Sequence, residues 1–164
     1  MEVREEHIKG DILWAYFDRA SDQKNVCGAG FVIHTNNQKN LKALVGLGSG
    51  TNNFAELQSL KLLLCWLIHL GMGSIHIFGD SHNVVKWFNG KNKCQNCTLI
   101  PLLEEVLLLK HQFDFITVCH IFKERNPVVD LFSKEGIQQA MGIWHIIETD
   151  KDMIHVSDQP PFFP

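Results

Sequence analysis

Four carboxylates stand where the character of the chain changes. Asp18 closes an apolar, aromatic stretch, Glu56 opens a leucine-rich one, Asp80 follows Ser74–Gly79 (SIHIFG), and Asp130 follows Asn126-Pro127. Each has a commonplace role when taken alone. Glu56 lies three residues after Asn53, a capping-box spacing, and Asp80 can cap a helix. Asp130 and Glu56 suit a helix N-terminus electrostatically, and Asp18 can begin a turn. The set implies something else. In an α/β sheet, ligands lie beyond the carboxyl ends of the strands, where helix N-termini also point. Four carboxylates gathered there would repel one another unless cations neutralised them. Mg²⁺ or Mn²⁺, hard and oxygen-seeking, fits such a set. Two such ions about 3.5–4 Å apart could clamp the attacking water and the leaving oxygen of a phosphodiester.

The elements that must position these acids follow from periodicity. Ile12–Phe17, Val26–Ile33 and Leu41–Leu47 are short, rich in β-branched or aromatic residues, and separated by polar or glycine-containing turns, which predicts three successive strands. Phe54–Leu70 has no glycine or proline and stops at Gly71, which predicts a long helix, apolar nearly all round from Leu62 to Ile68 and therefore central. A strand at Ser74–Gly79, a short helix at Ser81–Phe88, a helix at Ile100–Gln112, a strand at Phe115–Ile121 and a helix from Asn126-Pro127 to about Ala140 complete the order βββαβα(α)βα. Three antiparallel strands followed by βα units make a mixed sheet with helices on its faces. Residues 11–141 are expected to form the domain, with 1–10 an extension and 142–164 a tail. One further short element is expected at Trp144–Ile147, and the Pro-Pro-Phe-Phe-Pro end is expected to fray.

The chain has 164 residues, 45% of them hydrophobic, which is one globular domain's worth. A formal charge of -3 excludes a strongly basic arm that would grip nucleic acid by charge alone. Five cysteines are too sparse for a disulfide framework, so an intracellular, reducing compartment is expected, cytoplasm or nucleus. MEVREEHIKG lacks the apolar core of a signal peptide, and the longest apolar run, Leu62–Ile68, is too short to span a bilayer, so no membrane association is expected.

The phrases Tyr16-Phe17-Asp18-Arg19-Ala20-Ser21, Gly50-Thr51-Asn52-Asn53-Phe54-Ala55-Glu56, Ile77-Phe78-Gly79-Asp80-Ser81 and His120 through Asp130 (HIFKERNPVVD) resemble the type 1 ribonuclease H family. The form associated with reverse transcriptases, abundant in plant retroelements, is the nearer match. The resemblance runs from about Leu13 to Glu135 with the family's order and spacing. It implies a ribonuclease H-like α/β fold with a five-stranded mixed sheet in the order 3-2-1-4-5, the first three strands antiparallel and helices on both faces. It also implies hydrolysis of the RNA strand of RNA–DNA hybrids using two Mg²⁺ or Mn²⁺ ions. Asp18, Glu56, Asp80 and Asp130 match the metal-binding acids, with Asp18 bridging the ions. His120 matches a mobile histidine that assists proton transfer and product release; the plainer alternative is a strand-end histidine with one backbone hydrogen bond. Thr51, Asn52 and Asn53 match positions that hold the hybrid in its minor groove, where 2′-hydroxyls mark RNA. Arg19, Ser21 and Ser81 complete the expected nucleic-acid contacts. The partner is then a hybrid duplex, bound by a monomer or by one piece of a reverse-transcriptase polyprotein.

Arg19 departs from the pattern, which has glycine after the first acid. Glycine there lets the nucleic-acid backbone come close. Arg19 could clash with the hybrid or contact a phosphate, so an alternative is a module that binds nucleic acid but cuts slowly or not at all. Gly46–Gly50 lacks a P-loop lysine and a dinucleotide fingerprint, so no nucleotide cofactor is expected. Cys94 and Cys97 lack the second ligand pair of a zinc site. Lys86, Lys91 and Lys93 with Trp87 suit a solvated surface around one packed tryptophan, or a modest basic rim.

Overall fold

The computed structural model describes residues 13–21, 24, 26–35, 39–129 and 140–162. Its strands are β1 (Leu13–Ser21), β2 (Val26–His34), β3 (Lys39–Ser49), β4 (Ser74–Gly79), β5 (Phe115–His120), β6 (Trp144–Asp150) and β7 (Met153–Ser157). The described α-helices are α1 (Asn52–His69), α2 (His82–Phe88) and α3 (Ile100–Lys110). The strands form one sheet in the order β5-β4-β1-β2-β3-β6-β7. β1 is its pivot, antiparallel to β2 and parallel to β4.

Alternation along the strands sorts residues between two faces. Ala15 and Phe17 of β1, Phe31 and Ile33 of β2, and Ala43 and Val45 of β3 enter one core with the helices. Tyr16, Ala20, Val32 and Leu44 lie on the other face, around Val128. α1 buries Leu57, Leu60, Leu63, Leu64, Trp66 and Leu67, so the nearly all-round apolar run does mark the central helix. It ends where Gly71 takes φ +73°, the left-handed conformation that closes helices. Pro127–Val129 begins a further helical turn, and the rest of the expected last helix, Asp130 included, lies outside the described residues. Among the described residues, no helix is long and apolar enough to cross a membrane.

The order 3-2-1-4-5 is present, but the sheet has seven strands rather than five. The extra two come from the segment expected to be a tail. β6 pairs antiparallel with β3 from Val45↔Trp144 to Lys39↔Asp150, and β7 returns along β6. Trp144 and Ile146 alternate into the main core, so β6 covers an edge of β3 that would otherwise present open hydrogen-bonding groups. The chain end is also not frayed as far as Phe162. Its ring meets Trp66 edge-on at 5.2 Å and lies 5.0 Å from His69. A proline-rich composition gave no sign of that anchor, because the place against Trp66 that Phe162 fills exists only once α1 has packed.

The packing of Phe162 has a measurable consequence. Phe162→Ala is expected to lower unfolding stability by about 1–2 kcal/mol through lost apolar burial and the lost ring pair. Urea denaturation checks this; a frayed end would leave the midpoint unchanged.

Candidate active site

Unequal ladders on the two sides of β1 create the site. The antiparallel pairing with β2 continues to Ser21↔Cys27, whereas the parallel pairing with β4 stops at Phe17↔Gly79. Asp18 is therefore not the end of the first strand. It lies inside β1, opposite Gly30, as the first residue beyond the parallel ladder. Asp80 follows the last residue of β4, and His120 ends β5 in register with Gly79. The end of the β1–β4 ladder and the ends of β4 and β5 thus open at one level. The ring of Phe17 occupies the space that a Cβ on Gly79 would need, which explains why glycine precedes Asp80.

Two residues outside the expected set fasten this edge. Ser59 of α1 places its hydroxyl 2.7 Å from the Asp18 carbonyl oxygen and is fully buried. Asn126 donates from Nδ2 to the Phe17 carbonyl at 2.9 Å and accepts from the Val128 amide at 3.1 Å. It ties the start of the last helical segment to β1 beside Asp18. Asn126 stood in a recognisable motif, but Ser59 gave no signal beyond being a polar residue within an apolar helix.

For the three acids among the described residues, the commonplace roles do not hold. Thr51 caps α1, accepting from the Phe54 amide, so Glu56 sits one turn further in than a capping residue. Ser81, not Asp80, caps α2 through the Val84 amide. Asp18 belongs to a strand rather than a turn. Instead, carboxylate oxygens of Asp18, Glu56 and Asp80 all lie within 4.8 Å of one another. Asp18 and Glu56 are each only 4% exposed. Glu56 Oε2 and Asp80 Oδ2 are buried with no hydrogen-bond partner.

Electrostatics follow from this crowding. Burial, then the charge of Asp80, pushes Asp18 up to about 6, although the Arg19 amide donates to its Oδ1 at 2.8 Å. Burial, followed by the charges of Asp18 and Asp80, holds Glu56 well above the ordinary carboxylate range. Arg19 offsets this in part, with Nε 3.8 Å from Glu56 Oε1. Buried oxygens without donors and acids resisting ionisation fit a hard divalent cation, which would supply the missing positive charge.

These acids line a cleft of about 550 Å³ whose rim includes Asn52, Asn53, Ser81, His82, His120 and Lys123. Of the expected nucleic-acid contacts, Arg19, Asn52, Asn53 and Ser81 reach it, while the Thr51 side chain serves the helix cap. The side chain of Ser21 and the whole of Asp130 lie outside the described residues. His120 stacks on His82, with ring centroids 3.6 Å apart and planes at 15°. Burial and the neighbouring His82 charge lower the His120 pKa. His82 was not among the expected residues; its sequence position beside Asp80 carries no hint of a partner on β5.

Residues 17–136 match the family model described as reverse transcriptase-like. The chain belongs to the reverse transcriptase-like family. Solved structures agree on the fold of this reverse transcriptase-like chain. RNase H1 from the halophilic archaeon Halobacterium salinarum NRC-1 superposes with a TM-score of 0.65 at 26% identity, covering 71% of this chain and 92% of that one. The N-terminal RNase H domain of Rv2228c from Mycobacterium tuberculosis gives 0.69 at 23% identity, covering 78% and 94%. LC11-RNase H1 in complex with an RNA/DNA hybrid gives 0.65 at 23% identity, covering 76% and 96%. The reverse transcriptase-like chain thus has the ribonuclease H-like fold that its motifs implied, with β6 and β7 added beyond β3.

The acid cluster predicts a pH dependence. A group whose pKa is higher folded than unfolded gives a contribution present at low pH and lost as pH rises through the folded value. For Asp18 that window runs from about 4 to about 6. With chelator present, Asp18→Asn should therefore gain stability relative to the parent chain as pH rises from 4 to 7. Thermal melts of both proteins across that range check the crossing, and parallel curves would contradict the crowding.

Proposed function

We propose that the chain hydrolyses the RNA strand of RNA–DNA hybrids. The observation that carries this is the convergence of Asp18, Glu56 and Asp80 on one cleft whose rim carries amide and hydroxyl groups. Family membership and the fold shared with LC11-RNase H1, which was solved with such a hybrid, support the reading.

In this reading Asp18, Glu56 and Asp80, joined by Asp130, would hold two divalent cations, Mg²⁺ or Mn²⁺. When bound, these would activate water and stabilise charge on the leaving oxygen. The chain's own groups do the rest. Asn52, Asn53 and Ser81 present donors and acceptors to phosphates and ribose hydroxyls. Ladders that stop at one level keep the carboxylates aimed at a single phosphate, so positioning is built in before substrate arrives. His120 at the rim takes the proton from the attacking water or returns it to the leaving oxygen as the phosphorus–oxygen bond breaks. The family context also favours a place within a longer reverse-transcriptase polyprotein.

A second reading has its own observation. Arg19 lies against Glu56 with its side chain 30% exposed, and so places a fixed positive charge beside the cation-binding acids. That charge competes with a divalent cation for Glu56, which favours a domain that binds hybrid but turns over slowly.

Cleavage of an end-labelled hybrid in Mg²⁺ and in Mn²⁺ tests the leading reading. Asp80→Asn should lower the rate at least about a hundredfold, since charge stabilisation by a bound cation is worth several kcal/mol. A folded parent chain that cuts in neither metal would overturn hybrid hydrolysis.

Arg19→Gly separates the two readings. It should tighten Mn²⁺ binding, measured by calorimetry, and raise the cleavage rate. Unchanged metal affinity would show that Arg19 does not compete for Glu56.

A further inference from the structure

His82 has no part in the acid cluster, yet it touches the His120 ring on the same cleft. It is the first residue of α2, directly after the Ser81 cap, so its backbone is fixed by the helix start. Its ring lies flat on His120 at 3.6 Å and 15°. Phe122 also approaches the His120 ring edge-on, at 6.0 Å and 83°. His120 ends β5, where the ladder to β4 stops at Gly79↔His120 and the Ile121 amide still bonds the Gly79 carbonyl at 2.9 Å. The His120 backbone is thus tied down, and its ring also bonds the Asp80 backbone. A half-exposed strand-end side chain samples several rotamers unless packing selects one. The flat face of His82 is the packing surface that, together with the bond to Asp80, selects it.

We infer that His82 is a positioning residue: by ring stacking it holds the His120 imidazole over the acid-lined cleft in the orientation used for proton transfer. The inference rests on the hydrolytic reading above and goes beyond it by assigning His82 a role that acts through His120. Stacking needs a flat ring rather than a ring nitrogen, so an aromatic substitute should serve. A displaced general acid or base loses rate at the chemical step while substrate affinity, set by other contacts, stays put.

Five proteins decide the matter: the parent chain, His82→Ala, His82→Phe, His120→Ala and the double variant His82→Ala/His120→Ala. With a labelled hybrid in Mg²⁺ or Mn²⁺, His82→Ala should lower kcat about tenfold with little change in KM, a part of the ~10²-fold that a misplaced group can cost. His82→Phe should recover most of that loss. In the His120→Ala background, His82→Ala should cost nothing further, because coupled residues are not additive. In ¹³C-edited spectra the His120 ring Cε1–H signal should move in His82→Ala and stay near its parental position in His82→Phe. An unmoved His120 signal in His82→Ala, a full additional loss in the His120→Ala background, or failure of His82→Phe to rescue would each overturn the inference. A parent chain that does not cut sinks the hydrolytic reading instead, and the ring signals then still decide whether His82 sets the position of His120.

Discussion

Everything at the cleft depends on one electrostatic strain: three carboxylates share a small buried volume with too few donors to satisfy them. Asp18 and Glu56 are almost wholly removed from water, and their oxygens lie within 4.8 Å of each other and of Asp80. Such an arrangement is costly for a fold unless a cation returns the energy. The rest of the molecule can be understood as the scaffold that enforces it. β1 is locked on both sides by neighbouring strands, Ser59 and Asn126 hold the backbone around Asp18, and the Phe17 ring fills the space beside Gly79. These contacts fix the backbone from which Asp18 and Asp80 project.

The scaffold is stiff for reasons of packing. α1 crosses the sheet beneath the site and buries large side chains on almost every face. Its Trp66 meets Phe31, Trp144 and Phe162, so the chain end and the extra strand β6 brace the same helix that carries Glu56. Interiors at crystal-like density transmit such bracing, because a shifted ring must move its neighbours. Arg19 is the exception to this division of labour. It supplies a local positive charge at Glu56 from the next position along β1, where a glycine would leave room and no charge.

Legibility differed from residue to residue. Asp18, Glu56 and Asp80 were recoverable because each stands at a change of period and inside a short motif. Their commonplace explanations could not be dismissed from the sequence, since an acid near a helix start looks the same whether it caps the helix or not. Thr51 and Ser81 decide that point by taking both caps. β1 ran longer than its apolar stretch, because pairing with β2 carries polar residues through to Ser21. His82, Ser59 and the anchoring of Phe162 were not legible, as each works through a partner far away along the chain.

The sequence by itself determined the alternation of strands and helices, the central place of the leucine-rich helix, the identity of the candidate acids and the unusual arginine beside the first of them. These follow from local periods, caps and side-chain chemistry, which need no knowledge of distant neighbours. Only the tertiary structure decided that the ladder beside Asp18 stops where β4 ends, that three acids share one volume, that β6 and β7 extend the sheet past β3, and that two histidines stack. Those are relations between segments brought together by strand pairing and core packing, and the energy that fixes them resides in contacts that no local stretch of chain contains.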